Sequence, residues 1–277
     1  MEKMKRICLL TALITFLIYN CLNGQTDSHR ITGDLEGMFS RLRENLSSTE
    51  KLAINDSVKL IIENYAASDT VFKHRFDLRY LGQITSPDSL VKIITWNLIL
   101  EDGGNRYFCY IIRRTGRGAE NKIYKLTGIY NETPIRADTI YSESNWYGAL
   151  YYDIRPFVAG KEIDYVLLGI DYGNSFITRK IIDVLSFGSG NNLVFGKRCF
   201  ADGKLTLPRV VFEFAATAVM SLRFNTNTSI IFDHLSPRSP ELKDNRQFYG
   251  PDFSYDSYNL ENGLWRLKSN IDIRNKE

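Results

Sequence analysis

The chain has 277 residues, 44% hydrophobic and 24% charged, with 35 lysines and arginines against 32 aspartates and glutamates. That length permits one large domain, or a domain with a small helical appendage, and a sizeable core. A net charge of +3 gives no electrostatic ground for a nucleic-acid partner.

Lys3, Lys5 and Arg6 lead into an uncharged apolar run, Ile7–Gly24, and polar sequence begins at Gln25. A basic head, an apolar centre and a small residue before a polar start describe a secretory signal peptide over residues 1–24. The competing reading is an uncleaved membrane anchor, but the run falls short of the roughly 20 residues a spanning helix needs. Asn20 and Asn23 also interrupt its end. Cleavage after Gly24 is expected, giving a periplasmic or secreted chain with no membrane span. The alternative is a lipoprotein anchored through Cys21, although Ile18-Tyr19-Asn20 lacks the small residues such processing prefers. Removing the leader takes away Lys3, Lys5, Arg6 and Glu2, which lowers the net charge from +3 to +1. Cys8 and Cys21 leave with it. Cys109 and Cys199 sit in apolar runs, where a free cysteine behaves as a small buried hydrophobe. Export to an oxidising space also allows a single bridge between them.

The following segment, residues 25–70, reads as helical. Leu35, Met38, Phe39, Leu42 and Leu46 have the spacing of one apolar helix face. Ser47 and Glu50 form a capping box, and Ile54, Val58, Ile61, Ile62 and Tyr65 make a second stripe. Helices over Asp34–Asn45 and Thr49–Ala66 are predicted, as a helical hairpin.

After Thr70 the period changes to two, and residues 71–277 read as an antiparallel β domain. Phe76, Leu78 and Tyr80 alternate with polar neighbours. Leu90–Leu100 and Arg106–Arg114, rich in β-branched and aromatic residues, flank the turn composition EDGGN. Further strands are predicted at Asn121–Leu126, Leu150–Phe157, Ile163–Ile170, Ile177–Phe187, Leu193–Phe200, Arg209–Ala215, Val219–Asn225, Ser229–Leu235 and Gly263–Leu267. Gly128–Asn145 reads as a long loop. Tight turns without intervening helices argue for an antiparallel meander. Runs such as VLLGI and IIDVL are apolar on both faces, so both sides should be covered. The expected fold class is mainly β (α+β): a twisted sheet or barrel with the helical hairpin against it. A small β-propeller is the alternative, weakened by the lack of a fixed-period repeat.

The densest polar and aromatic stretch is Phe232–Asp256, FDHLSPRSPELKDNRQFYGPDFSYD, where three prolines suggest a long stiff loop. Asp233 and His234 are candidates for a carboxylate–imidazole pair, with Asp252 or Asp256 arriving from the far end as acid or base. Neighbours on a strand point to opposite faces, which disfavours a direct Asp233–His234 pair. The bland alternative is a histidine bonded to backbone and aspartates capping turns. Tyr249, Phe253, Tyr255 and Tyr258 are candidates for an aromatic platform for a sugar or peptide, or simply pin the loop down. Asp252, Ser254 and Asp256 have the alternate oxygen spacing of a calcium loop. However, Ser257 stands where an EF-hand needs glycine and Gly263 where it needs glutamate.

No reaction-centre motif stands out. There is no G-x-S-x-G, no HExxH and no phosphate-cradling glycine loop. Ser48-Thr49-Glu50-Lys51 fits S-x-x-K but lies at a helix start. With His29, His74 and His234 as the histidines, no metal site and no cofactor are expected. Arg113, Arg114 and Arg117 read as a solvated turn.

NWYGALYYDI (Asn145–Ile154), YVLLGID (Tyr165–Asp171), RKIIDVLSF (Arg179–Phe187), FDHLSP (Phe232–Pro237), YGPDFSYD (Tyr249–Asp256) and the closing GLWRLKSNIDIRN resemble an uncharacterised exported protein family of the Bacteroidota. The resemblance covers about half the chain, from Asn145 onward. It implies export and a single fold, and it transfers no catalytic residue.

Two functional expectations result. One is a non-catalytic binding or structural module of the cell envelope, with a protein or glycan as partner. The other is a periplasmic hydrolase of an envelope polymer, working through residues 232–256.

Overall fold

The computed structural model describes residues 30–68, 70–101, 103–116, 120–129, 135–158, 162–203 and 205–272. The expected signal peptide, the expected cleavage point before Gln25 and the candidate lipidation site Cys21 lie outside the described residues, as do His29, Asp102 and Arg117. The chain divides into two compact units: the described residues up to Asn64 with Phe76–Tyr80, and Tyr65–Arg75 with the described residues from Leu81 onward.

In the first unit, α1 (residues 30–41) buries Leu35 and Phe39, and α2 (Ser48–Ala67) buries Val58 and Ile62. The capping box is formed: the Glu50 N–H donates to Ser47 Oγ at 3.3 Å, and the Ser47 N–H donates to Glu50 Oε2 at 3.0 Å. Helix α1 stops short of Asn45 because tighter bonds close its last turn, Arg43 N–H to Ser40 O and Glu44 N–H to Arg41 O. Phe76–Tyr80 forms no strand. Its alternation comes from a buried Phe76 and a Tyr80 ring lying 4.3 Å beneath the Arg43 guanidinium. No helix among the described residues is long and apolar enough to cross a membrane.

The second unit is built around three sheets whose strands pair antiparallel with one exception. The first has four strands in sequential order: β1 (Gly82–Thr85), β2 (Val91–Ile99), β3 (Asn105–Arg113) and β4 (Lys122–Ile129). The second runs β5 (Tyr141–Ser142), β9 (Leu193–Phe195), β8 (Ile177–Phe187), β7 (Ile163–Asp171), β6 (Leu150–Val158), with β12 (Val210–Ala215) pairing the first half of β8. The third runs β11 (Leu205–Leu207), β10 (Phe200–Asp202), β16 (Leu264–Lys268), β15 (Tyr249–Glu261), β14 (Ser229–Pro237), β13 (Leu222–Thr226). The β10–β16 pair is parallel.

The apolar runs on β7 and β8 are explained by where the second sheet sits. Tyr165, Leu167, Ile181 and Leu185 enter one core with Ile93, Cys109 and Tyr124 of the first sheet. The alternate residues Val166, Leu168, Ile182 and Val184 enter a second core with Phe200, Phe232, Tyr258 and Trp265 of the third sheet. The middle sheet is therefore covered on both faces by other sheets, and among the described residues no sheet closes into a barrel. A propeller's blades around a channel are likewise not what is built. Cys109 and Cys199 are free and belong to different cores on opposite sides of the middle sheet, so the single bridge is not formed.

Three sequence expectations change for local reasons. Leu193–Phe200 breaks into β9 and β10 at Gly196, whose φ of 103° turns the chain from one sheet into the next. A Cβ at Gly196 would stand 2.9 Å from Arg209 Nη2. The last hairpin turns on Asn262-Gly263, with φ of 52° and 79°, so β16 starts at Leu264. Part of the expected loop Gly128–Asn145 is regular, with β5 and a 3-10 turn at Glu143–Asn145.

Charged side chains also lie inside this unit. Lys92 on β2 is buried and donates to Tyr65 Oη (2.7 Å), Val71 O (2.7 Å) and His74 O (2.6 Å), tying segment 65–75 to the first sheet. Burial pushes its amine down to about 8. Arg179 bridges Asp171 at 3.2 Å and Glu213 at 2.8 Å, joining β7, β8 and β12. Arg209 meets Asp183 at 3.1 Å with both side chains fully buried.

Candidate functional site

The stretch Phe232–Asp256 is mostly a hairpin rather than a free loop: β14 extends to Pro237, and β15 resumes at Tyr249. Its pairing breaks at one point. Asp233 faces Tyr255 and Leu235 faces Pro251, so Asp252, Phe253 and Ser254 of β15 stand against His234 alone. The surplus residues bulge outward, a device common beside functional sites. Phe253, at the top of the bulge, takes a φ of 70° and is 94% exposed. A left-handed backbone at a bulky residue costs about 1–3 kcal/mol, and the exposed ring recovers little of this by burial.

Beside it, His234 Nδ1 lies 2.8 Å from Asp256 Oδ2. Because a carboxylate only accepts, Nδ1–H is the donor and Nε2 carries the lone pair of the neutral ring. The other Asp256 oxygen accepts from the Asn270 N–H at 3.0 Å, and the Ile271 N–H donates to Tyr255 O at 2.8 Å. The C-terminal segment thus locks the carboxylate that locks the imidazole. Asp256 is buried, whereas the His234 side chain is 43% exposed. Asp252 Oδ1 accepts from both the N–H (3.0 Å) and the hydroxyl (2.7 Å) of Ser254. The Ser254 hydroxyl, helped by the His234 ring nearby, holds the Asp252 carboxyl below its ordinary range.

The remaining candidates sit elsewhere. Asp233 turns away from His234, and its Oδ2 accepts from the Ser221 N–H at 2.6 Å. Tyr249 is buried with its hydroxyl donating to Lys243 O at 2.6 Å and the Arg246 guanidinium 4.3 Å over its ring, which makes it a packing anchor. Tyr258 stacks on Phe232 in the second core, and Tyr255 is half-buried. The four rings therefore assemble no platform; Phe253 alone projects. Among the described residues no group of three or more His, Cys, Asp and Glu side chains is placed to hold a metal. Arg113 lies over Phe187 and donates to Asn191, and Arg114 lies over Phe72, so both are engaged with rings. Ser254 and Asn270, which orient the site, carry no sequence signal for that role because it depends on strand register.

The hydrogen bond to Asp256 raises the His234 pKa above its ordinary 6.5. The folded state then holds this proton more tightly than the unfolded chain. The pair's stabilisation is complete below about 6.5 and fades as pH rises through the raised value. Replacing His234 with glutamine is accordingly expected to lower the melting temperature more at about pH 5.5 than at about pH 8.5, roughly one unit below and two above the ordinary pKa. An equal loss at both pH values would show that the pair is not charged in the folded protein.

Chemically, the site offers a ring fixed in the open, an exposed carboxylate fixed by a neighbouring serine, and an imidazole fixed by a buried carboxylate. Each is preorganised on a sheet rather than on a mobile loop. No protein-family model, curated protein or solved structure matches the chain.

Proposed function

We propose that the protein is exported and acts in the cell envelope as a non-catalytic binding module, with the bulge at Asp252–Ser254 as its contact surface. The supporting observation is Phe253: an aromatic ring 94% exposed and held at a φ of 70°, from which the fold gains little by burial. Interfaces concentrate their energy in such aromatic anchors. The basic-apolar leader and the resemblance to an exported Bacteroidota family support the location, and the near-neutral charge after leader removal argues against nucleic acid.

The His234–Asp256 pair favours a second reading, a hydrolase of an envelope polymer, since a carboxylate-held imidazole with its second nitrogen outward is the arrangement of a general base. It is the weaker reading because the hydroxyl in the bulge, that of Ser254, donates to Asp252 Oδ1 and not to the imidazole.

The test uses the full chain carrying a photo-crosslinking residue at position 253, expressed in its own cells, with Leu205, 66% exposed on β11, as control position. Envelope fractionation with adducts formed at 253 and not at 205 is the expected result. Retention in the cytoplasm, or equal labelling at both positions, would overturn the reading. Loss of envelope-polymer hydrolysis in His234→Gln would favour the hydrolase instead.

A further inference from the structure

Within the binding reading, on which this inference rests, the geometry points to a carbohydrate as the ligand: an uncharged sugar ring stacked on Phe253, with hydroxyls bonded to Asp252 and His234. The argument starts from what is fixed and what is left over. Asp252 uses Oδ1 on Ser254, which leaves Oδ2 as an exposed acceptor. His234 uses Nδ1 on Asp256, which leaves Nε2 for a ligand on a side chain that is 43% exposed. Both oxygens of Asp256 are occupied, by His234 and by the Asn270 N–H, so the ligand meets Asp256 only through the imidazole.

The surface left is one aromatic face beside one acceptor and one imidazole nitrogen. A pyranose presents the matching pattern, a face of C–H groups bordered by hydroxyls that both donate and accept. A hydroxyl can donate to Asp252 Oδ2, and a second can bond Nε2 in either protonation state, because Nε2 accepts when neutral and donates when charged. Aromatic side chains supply large contact area at low entropy cost, and orientation comes from a few fixed polar groups.

The charges narrow the class. With Asp252 and Asp256 ionised, the site is net negative or, with His234 protonated, still one charge negative. Uronic acids and sulfated sugars are therefore disfavoured, and neutral sugars fit. A peptide partner would call for a row of unpaired strand groups or an apolar groove. The bulge interrupts the β14–β15 ladder here, and Phe253 stands in no ring contact among the described residues, so a peptide is the less suitable occupant.

The experiment measures binding of the full chain to immobilised mannan, β-glucan, galactan, arabinan and chitin oligosaccharides, with heparin and polygalacturonate as acidic counterparts. The variants are Phe253→Gly, which relieves the left-handed backbone and so keeps the fold, and Asp252→Asn. Binding to at least one neutral glycan is expected, weakened tenfold or more by Phe253→Gly and several-fold by Asp252→Asn, with unchanged or higher melting temperature for Phe253→Gly. Binding to no neutral glycan, preference for the acidic polymers, or equal binding by Phe253→Gly would overturn the inference. If crosslinking at 253 then yields protein adducts, the binding module stands and its ligand is a protein. If it yields none, both fall.

Discussion

Replacing Arg209 with methionine is expected to cost about 3–5 kcal/mol of folding stability, the range for removing one partner of a buried ion pair. Arg209 is fully buried, and its guanidinium does more than pair with Asp183. Nη1 donates to Arg136 O at 2.8 Å and to Thr139 O, and Nη2 donates to Phe195 O at 3.1 Å. The Tyr141 ring lies 4.5 Å from its centre. One side chain therefore satisfies carbonyls from residues 136–139 and from β9, and methionine satisfies none of them. Asp183 would keep the Tyr147 hydroxyl (2.7 Å) and the Val184 N–H (2.7 Å) but lose the cation it is paired with.

The deficit should depend on pH in a definite direction. Burial already pushes the Asp183 carboxyl above its ordinary 3.8, against the pull of Arg209. Without the guanidinium it rises further. A carboxyl whose folded pKa is raised stabilises fully below the unfolded pKa and loses that contribution as pH climbs through the folded value. The variant should thus fall further behind the native chain at pH 8 than at pH 5, values chosen to lie about one unit or more above the ordinary carboxylate range. Urea unfolding at the two pH values measures this. In the double variant Arg209→Met/Asp183→Leu the losses should be less than additive, because the second change removes the stranded charge. A cost below about 1 kcal/mol for Arg209→Met, the level of an exposed pair, would sink the argument.

How far the fold is legible in the residues depends on whether local pattern or remote contact decides each element. Strands β2 and β3 announce themselves through Val91–Ile99 and Asn105–Arg113, β-branched and aromatic runs around a Gly-Gly turn. The two-sided apolarity of VLLGI correctly signals a covered strand, but not that sheets rather than helices do the covering. Asp183 in IIDVL and Lys92 in VKIIT look like breaks in apolar runs. They are buried, and what makes that tolerable, Arg209 for one and the Val71 and His74 carbonyls for the other, lies far away in sequence.

The candidate site divides in the same way. Side-chain alternation alone separates Asp233 from His234, and Asp256 does meet the imidazole across the hairpin. Nothing local says that Phe253 would be lifted out while Tyr249, four residues earlier, is buried. That outcome follows from the register shift between Asp233 and Leu235, a property of two strands together.

The same dependence on remote partners makes Trp265 the second position of large effect. Trp265→Ala is expected to cost about 3–5 kcal/mol, the usual range for a fully buried large aromatic. Trp265 has no exposed surface, packs edge-on against Phe157 of the middle sheet with centroids 6.0 Å apart, and lies opposite Phe200 and Leu260 in register. Its backbone N–H donates to Cys199 O at 2.7 Å, so the residue joins β16 to the chain entering β10. Truncation would leave a cavity between two sheets that cannot close without moving both. The indole adds a sharper test, because its Nε1–H is buried with no acceptor among the described residues. A buried unpaired donor costs about 1–3 kcal/mol, and phenylalanine removes that penalty while keeping most of the ring. Trp265→Phe should therefore cost clearly less than Trp265→Ala, because it leaves a smaller cavity and no unpaired donor. Thermal and urea unfolding of the two variants decide the matter. If alanine and phenylalanine cost the same, the indole's packing is not what holds the third sheet to the middle one, and its polar edge must be satisfied by a contact that this arrangement does not contain.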